Sequence, residues 1–266
     1  MKMKFTVNKK DFVAALNAVT LKGKYKSAHT SKLGNISNDV AGAISDDGNT
    51  LTLSNASDTL AAMCKTNINN YESSGLEEEK KFMFFFEVER ALKYLKTFKY
   101  EDMYVTITQS NLILKTERQR AQIPLLVQHS GIGAISKIST MQIDHTSEEF
   151  PTFGRTLFES RIVLEGDELS EAIKNCSIVG NATYKLNFNK DALTLASVNF
   201  HQTENYKVTV PIISGEGEEA TLEFSAPLDK FCSGTMFLYL KDDSPILLCG
   251  VDRKLLVAPY IRGWLI

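Results

Sequence analysis

Apolar and polar positions alternate in short runs along most of the chain. Residues 103–107 (MYVTI), 112–114 (LIL), 184–188 (YKLNF), 206–210 (YKVTV) and 236–240 (MFLYL) are rich in β-branched or aromatic residues, the pattern of half-buried strands. Turn-forming residues lie between several of them, at 46–49 (DDGN), 109–111 (QSN) and 189–191 (NKD). Four segments shift to a spacing of three and four, which predicts helices. Over 9–19 the stripe is Phe12, Ala15, Leu16 and Val19; over 87–98 it is Val88, Ala91, Leu92, Leu95 and Phe98. Over 167–176 it is Leu169, Ala172, Ile173 and Cys176. A fourth, shorter helix is predicted over 226–232, where Pro227 fits only in the first turn.

These elements recur in the same order. Phe5 and Val7 followed by Phe12, Ala15 and Leu16 are echoed by Ile162 and Leu164 followed by Leu169, Ala172 and Ile173. Leu51 and Leu53 match Leu193 and Leu195, and Phe84 and Phe86 match Leu222 and Phe224. The strand 103–107 matches 236–240, and Pro124 after Ala121 matches Pro259 after Leu256. Phe12 and Leu169 lie 157 residues apart, whereas Pro124 and Pro259 lie 135 apart, so the first copy carries insertions. A shared order over both halves points to internal duplication. The predicted organisation is a first domain over 1–127, a connector over 128–157 and a second domain over 158–266. Within the connector, 138–150 alternates loosely before Pro151. It is either an ordinary linker or a long surface segment offering apolar residues to a partner.

The composition narrows the class. At 266 residues and 43% hydrophobic the chain has ample material for a packed core. Its formal net charge of −2 shows no global basic excess, but a local basic face on an acidic surface attracts phosphate without changing that total. Cys64, Cys176, Cys232 and Cys249 are scattered without metal-ligand spacing, and Lys2, Lys4, Lys9 and Lys10 interrupt any apolar leader. Free buried thiols and an intracellular setting are therefore expected, in the cytoplasm or at a nuclear or viral replication site. No apolar run is long enough for a membrane helix, so no membrane partner is expected.

Motifs of common enzymes are missing from the sequence: no nucleophile elbow, phosphate-binding loop, dinucleotide fingerprint or zinc-protease helix. His29, His129, His145 and His201 are dispersed and read as surface or loop histidines. Asp144 and His145 near Glu148 and Glu149 lack a water-excluding setting for acid–base work. The expectation is a protein with no catalytic residues, no metal and no cofactor. The informative charges lie on helices. Arg90, Lys93 and Lys96, with Lys99 just beyond, follow a three-residue spacing and form one basic stripe. Lys22, Lys24 and Lys26 follow the first helix, Lys174 lies on the third and Lys230 on the fourth. Singly each is an ordinary solubilising charge. If the helices shared one side of the sheets, the set would meet phosphates without reading bases.

A duplicated module with two helices per half and a long connector resembles the sliding clamps of the proliferating cell nuclear antigen (PCNA) family, with its archaeal and viral relatives. Three stretches carry the likeness. In the first, Leu238 and Leu240 lead to Asp243, Pro245, Leu248, Leu256, Ala258, Pro259 and Ile261, similar to the family's strand, turn, strand and closing Ala-Pro motif. In the second, Met141, Ile143 and Asp144, followed by Glu148, Glu149 and Pro151, are similar to the interdomain connector. Residues 86–102 with their lysines resemble the family's second helix.

The resemblance implies an α+β DNA-clamp fold, two similar domains each with two helices packed on antiparallel sheets. It implies a processivity factor, not an enzyme, that encircles duplex DNA independently of sequence. Subunits would join head to tail into a homotrimeric ring, through edge strands near 119–126 and 202–210. DNA contacts would be Lys22, Arg90, Lys93, Lys96, Lys99, Lys174 and Lys230. A polymerase and other replication proteins would insert a short apolar motif, and a clamp loader would open the ring. The matching partner pocket lies between the domains, at Ser54, Asp58, Thr59, Met141, Ile143, Pro245, Leu256, Val257, Ala258 and Pro259. Plain turn and core duty is an equal reading for Pro245 and Val257.

The chain departs from the family at three places. Val13 and Ala14 stand where lysines are common, which makes the helical surface less basic there. Asp58 and Thr59 replace a more apolar stretch, and the sequence runs to Arg262, Trp264 and Ile266 where relatives are often acidic. Two other readings stay open: a monomeric or heteromeric clamp-like subunit, and a duplicated β-rich enzyme with an unfamiliar site.

Overall fold

The computed structural model describes residues 1–20, 38–75, 82–179, 183–198, 206–226 and 228–260. The chain folds into two compact units. Of the described residues, the first takes Met1–Thr20, 38–57 and Ala62–Ser136; the second takes Asp58–Ala61 and the chain from Lys137 onward.

In the first unit, antiparallel strands run in the spatial order Leu60–Asn67, Thr50–Ala56, Asp39–Ile44, Met83–Glu87, Arg120–Leu126, Asn111–Lys115, Asp102–Thr108, Lys2–Asn8 and Asn69–Ser74. Alternation sets which side chains turn inward. In Lys2–Asn8, Met3, Phe5 and Val7 are buried; opposite them Met103, Val105 and Ile107 are buried too. Two helices cover this apolar face, α1 (Lys9–Thr20) and α2 (Val88–Thr97). α1 buries its predicted stripe, Phe12, Ala15, Leu16 and Val19; of the α2 stripe Val88, Ala91, Leu95 and Phe98 are buried, while Leu92 is half-buried. The ends of α2 are satisfied without a side-chain N-cap. The Val88 N–H donates to the Asn38 carbonyl at 2.8 Å. At the other end Gln119 Nε2 donates to the Thr97 carbonyl at 2.8 Å, and Lys9 Nζ to that of Phe98 at 2.6 Å.

The second unit repeats the plan. Ser214–Gly217, Ser160–Glu165, Thr235–Leu240, Ile246–Cys249 and Arg253–Val257 pair in that order, and a separate four-stranded sheet runs Lys207–Val210, Ala192–Ser197, Thr183–Asn189, Ala220–Ser225. The Asp242–Pro245 turn is tied to this second sheet: the Thr221 N–H donates to Asp242 Oδ1 at 2.7 Å, and Asp243 sits at φ 47°. The helix α4 (Gly166–Cys176) buries Leu169, Ala172, Ile173 and Cys176, as its spacing predicts.

Two expectations change. The segment 226–232 is not a regular helix but a single tight turn at Leu228–Lys230. Phe231 and Cys232 donate back to the same Leu228 carbonyl at 2.9 and 3.1 Å. So short a segment closes too few intrahelical bonds to repay helix nucleation. The start of the connector, by contrast, holds a helix that loose alternation did not suggest, α3 (Ile132–Thr140). Its Ile135 and Ile138, three apart, are both buried. Gly131 at its entrance is forced by close approach, since a Cβ there would lie 2.7 Å from that of Ala56. All four cysteines are buried thiols outside any disulfide. Among the described residues no helix is long and apolar enough to cross a membrane.

Candidate functional site

Two surfaces carry the candidate chemistry. The first is the outer face of α2. Opposite its buried stripe, Arg90, Lys93 and Lys96 are exposed, as is Lys99 just beyond the helix. Arg90 Nε pairs with Glu87 Oε2 at 2.7 Å across an i,i+3 step. No acceptor lies against the ammonium groups of Lys93, Lys96 or Lys99 among the described residues. Neighbouring α1 adds little: Lys9 is spent on the Phe98 carbonyl, Lys10 pairs with Glu101 at 2.6 Å, and Ala14 is exposed. The Lys10 and Glu101 shifts record that pair. Their mutual hydrogen bond raises the lysine and lowers the carboxyl.

In the second unit Lys174 and Lys230 are exposed, but their surroundings differ. Lys174 shares the outer face of α4 with exposed Asp167, Glu168 and Glu171. Lys230 follows Asp229 on the tight turn. Lys22 lies outside the described residues, as do Lys24 and Lys26.

The second surface is the connector laid on the sheet of the second unit. From Met141 to Glu148 the side chains alternate between half-buried and exposed, so one edge of an extended segment faces inward. That edge meets a buried cluster of Phe158, Tyr239, Leu247 and Cys249, against which Met141, Ile143, Phe150, Phe153, Phe237 and Leu256 pack half-buried. Polar clamps hold the segment in place. Arg161 Nη1 donates to the carbonyls of both His145 and Ser147 at 2.8 Å, while its Nη2 pairs with Glu216. Lys254 Nζ donates to the Met141 carbonyl. The His145 ring stacks on Phe237, centroids 4.0 Å apart and planes 9° from parallel, and its Nδ1 lies 2.7 Å from the Tyr239 hydroxyl. Burial, then the Arg161 and Lys254 cations, lower the His145 pKa against the opposing pull of Asp144. Burial likewise pushes the Tyr239 hydroxyl up to about 12 and the Cys249 thiol to about 12.

The structure therefore brings together Met141, Ile143 and Leu256 of the residues expected at a partner site, and adds Phe150, Phe153 and Phe237. Pro245, Ala258 and Pro259 are half-exposed, and the Ala258 N–H donates to the Thr59 carbonyl at 2.8 Å next to exposed Asp58. Ser54 at 3% exposure and Val257 at 1% point inward. For Val257 this is the core reading; strand alternation puts its neighbour Leu256 on the outer face instead. His129 also departs from its surface reading. It is buried, accepts the Gly131 N–H at Nδ1 (2.9 Å) and so carries its proton on Nε2, directed at the Asp39 carbonyl 2.8 Å away. A His two residues before a close-approach Gly was the only sequence signal for that anchor.

The edge strands stand as follows. Lys207–Val210 is the terminal strand of the four-stranded sheet. Arg120–Leu126 pairs along Asn111–Lys115 on one side, and on the other, among the described residues, only Leu125 and Leu126 pair, with Phe86 and Phe85.

No protein-family model matches the chain, and no curated protein does so either. Solved structures do. DNA polymerase III subunit beta from Borrelia burgdorferi aligns with 98% of this chain at TM-score 0.68 and 11% identity. The Helicobacter pylori beta clamp, solved bound to a DNA ligase peptide, aligns with 97% at TM-score 0.67 and 17% identity. A. fulgidus PCNA, solved with the C-terminal region of FEN-1, aligns with 98% at TM-score 0.66 and 13% identity. The chain spans 64% of the Borrelia subunit, 66% of the H. pylori clamp and 99% of A. fulgidus PCNA. Its fold is that of the DNA sliding clamps.

Proposed function

We propose that this chain is the subunit of a DNA sliding clamp, a processivity factor that surrounds duplex DNA and docks replication proteins inside the cell. The observation that carries the reading is the match of 98% of the chain to clamp structures, at a length that spans 99% of the PCNA subunit. The α2 stripe supports it. Arg90, Lys93, Lys96 and Lys99 offer screened attraction to phosphates and no means of reading bases, which suits a protein that must slide. Two modules over 1–127 and 158–266, joined by 128–157, would give each subunit its repeated form.

Assembly would use the strand edges. The open side of Arg120–Leu126 and the terminal strand Lys207–Val210 each present unpaired backbone groups. A second copy could satisfy them by strand addition, and head-to-tail addition closes into a ring where the rotation permits. A homotrimer is the proposed ring, opened by a clamp loader.

The connector platform is the proposed partner site. Met141, Ile143, Leu256, Pro245, Ala258 and Pro259 would take the apolar anchors of a short motif, with Asp58 and Thr59 at its rim. The H. pylori clamp with its ligase peptide and A. fulgidus PCNA with the FEN-1 C-terminal region support that mode of docking. Val257 would support the platform from beneath.

Light scattering coupled to size exclusion, over a range of concentrations, tests the reading. A stable mass of three subunits is expected, together with retention on nicked circular duplex that is lost when the circle is cut. A monomer at every concentration would remove the self-assembling ring and leave a subunit that needs a different partner. Equal retention on circular and linear DNA would remove encirclement.

A further inference from the structure

We infer that the duplex is held by one unit of each subunit only: the first unit grips phosphate through the α2 stripe, and the helical face of the second unit repels it. This inference rests on the sliding-clamp reading and adds to it where in the subunit the contact lies.

The argument starts from what each charge does for its own helix. A helix N-terminus favours carboxylates and a C-terminus favours cations. In α4, Asp167 and Glu168 lie in the first turn and Lys174 in the last. Helix stability alone accounts for those three. The remaining exposed charge, Glu171, sits one turn before Lys174 on the same face and offsets it. Lys230 has Asp229 beside it, and one Asp229 carboxylate oxygen is buried without a partner. Among the described residues, the outer face of the second unit's helical elements is thus net acidic.

In α2 the dipole explains only Glu89 in the first turn and Lys96 in the last. Arg90 lies in the first turn, where the positive end of the helix disfavours a cation, and Lys93 lies midway, where the dipole gives it nothing. Glu87 neutralises part of Arg90. Lys93, Lys96 and Lys99 are left exposed on one stripe with no internal acceptor among the described residues. Apart from the last-turn place of Lys96 and the i,i+4 spacing of Glu89 before Lys93, nothing among the described residues engages these cations. They are what a polyanion running past α2 would meet.

The two faces differ in sign, so their effects on a phosphate backbone oppose each other. A duplex in contact with both would lose on the second unit part of what it gains on the first. It therefore settles against the first.

The test is duplex binding by the full-length protein, followed by fluorescence anisotropy on a short labelled duplex across a salt series. Three variants are compared: Lys93→Glu with Lys96→Glu, Lys174→Ala with Lys230→Ala, and Glu168→Gln with Glu171→Gln. All six side chains are exposed, and circular dichroism with the solution mass checks that fold and assembly persist. The first pair is expected to lower affinity by about tenfold or more and to flatten the salt slope. The second pair should lose less than about twofold, and the third should gain about two- to fivefold. Losses of equal size from the first and second pairs, or a loss from the third, would overturn the one-sided grip while leaving the clamp reading intact. A wild-type protein without salt-dependent duplex binding would overturn both.

Discussion

The helices α1 and α4 hold the same place in the repeat, directly after the first strand of each unit, and bury the same pattern of side chains. Phe12, Ala15, Leu16 and Val19 of α1 are matched by Leu169, Ala172, Ile173 and Cys176 of α4. Their outer faces have nothing in common. On α1 the cations are internally engaged and Ala14 is bare; on α4 three carboxylates surround one lysine. The second helical position differs more. It is a ten-residue helix with a cationic stripe in the first unit and a three-residue turn in the second. The two units agree in what the core requires, because a buried position tolerates few volumes and no unpaired charge. They differ in what faces solvent, where most substitutions cost little. Differences between the units are therefore where function is to be sought.

The strongest way to sharpen that comparison is to cut the shared core on both sides. Leu95→Ala in α2 and Ile173→Ala in α4 should each cost about 2–5 kcal/mol by denaturant unfolding, since both side chains are at least 98% buried. A loss below about 1 kcal/mol at either position would mean that the two cores are not equivalent.

Arg161 comes next. It is specific to the second unit and binds two connector carbonyls and Glu216 with a side chain only 13% exposed. Arg161→Ala should destabilise by about 1.5–3 kcal/mol, the range for hydrogen bonds to a charged group. It should also speed proteolysis of the connector over 141–153. Unchanged cleavage there would remove the clamp assigned to Arg161.

The His145 contact gives the connector a pH dependence. Because the folded environment lowers the His145 pKa, the unfolded chain binds the proton more tightly. The docked connector is therefore fully stable above the unfolded value near 6.5 and loses stability as pH falls through the folded value. Opening of 141–150, read as hydrogen exchange corrected for its intrinsic pH dependence, should rise as pH falls from about 7.5 to 5.5. His145→Phe, which keeps an aromatic ring over Phe237, should flatten that rise. An identical rise in the variant would assign the effect to another group.

The smallest effect belongs to the Glu87–Arg90 pair. It is 32% and 55% exposed, so Glu87→Gln should change stability by less than about 1 kcal/mol. It frees Arg90, however, and should strengthen duplex binding slightly.

Strand and helix positions were legible because they rest on local spacing. The runs 103–107, 184–188 and 236–240 each lie inside an observed strand. The α3 helix was hidden because its buried pair, Ile135 and Ile138, is too short a stripe to stand out from an alternating linker. The partner platform was half legible. Met141, Ile143 and Leu256 emerged from resemblance, whereas Phe150, Phe153 and Phe237 have no sequence feature that ties them to those residues.

By itself the sequence determined the order of most elements and the buried stripes of α1, α2 and α4, since periodicity is a property of neighbouring residues and survives without knowledge of the rest of the chain. Only the tertiary structure decided which cations remain available. Lys9 is taken by a carbonyl 89 residues away and Lys10 by Glu101, while Lys93 and Lys96 meet no acceptor among the described residues. It likewise decided that Val257 turns inward and Leu256 outward. Charge pairing and facial orientation depend on residues brought close by packing, at separations that no local pattern records.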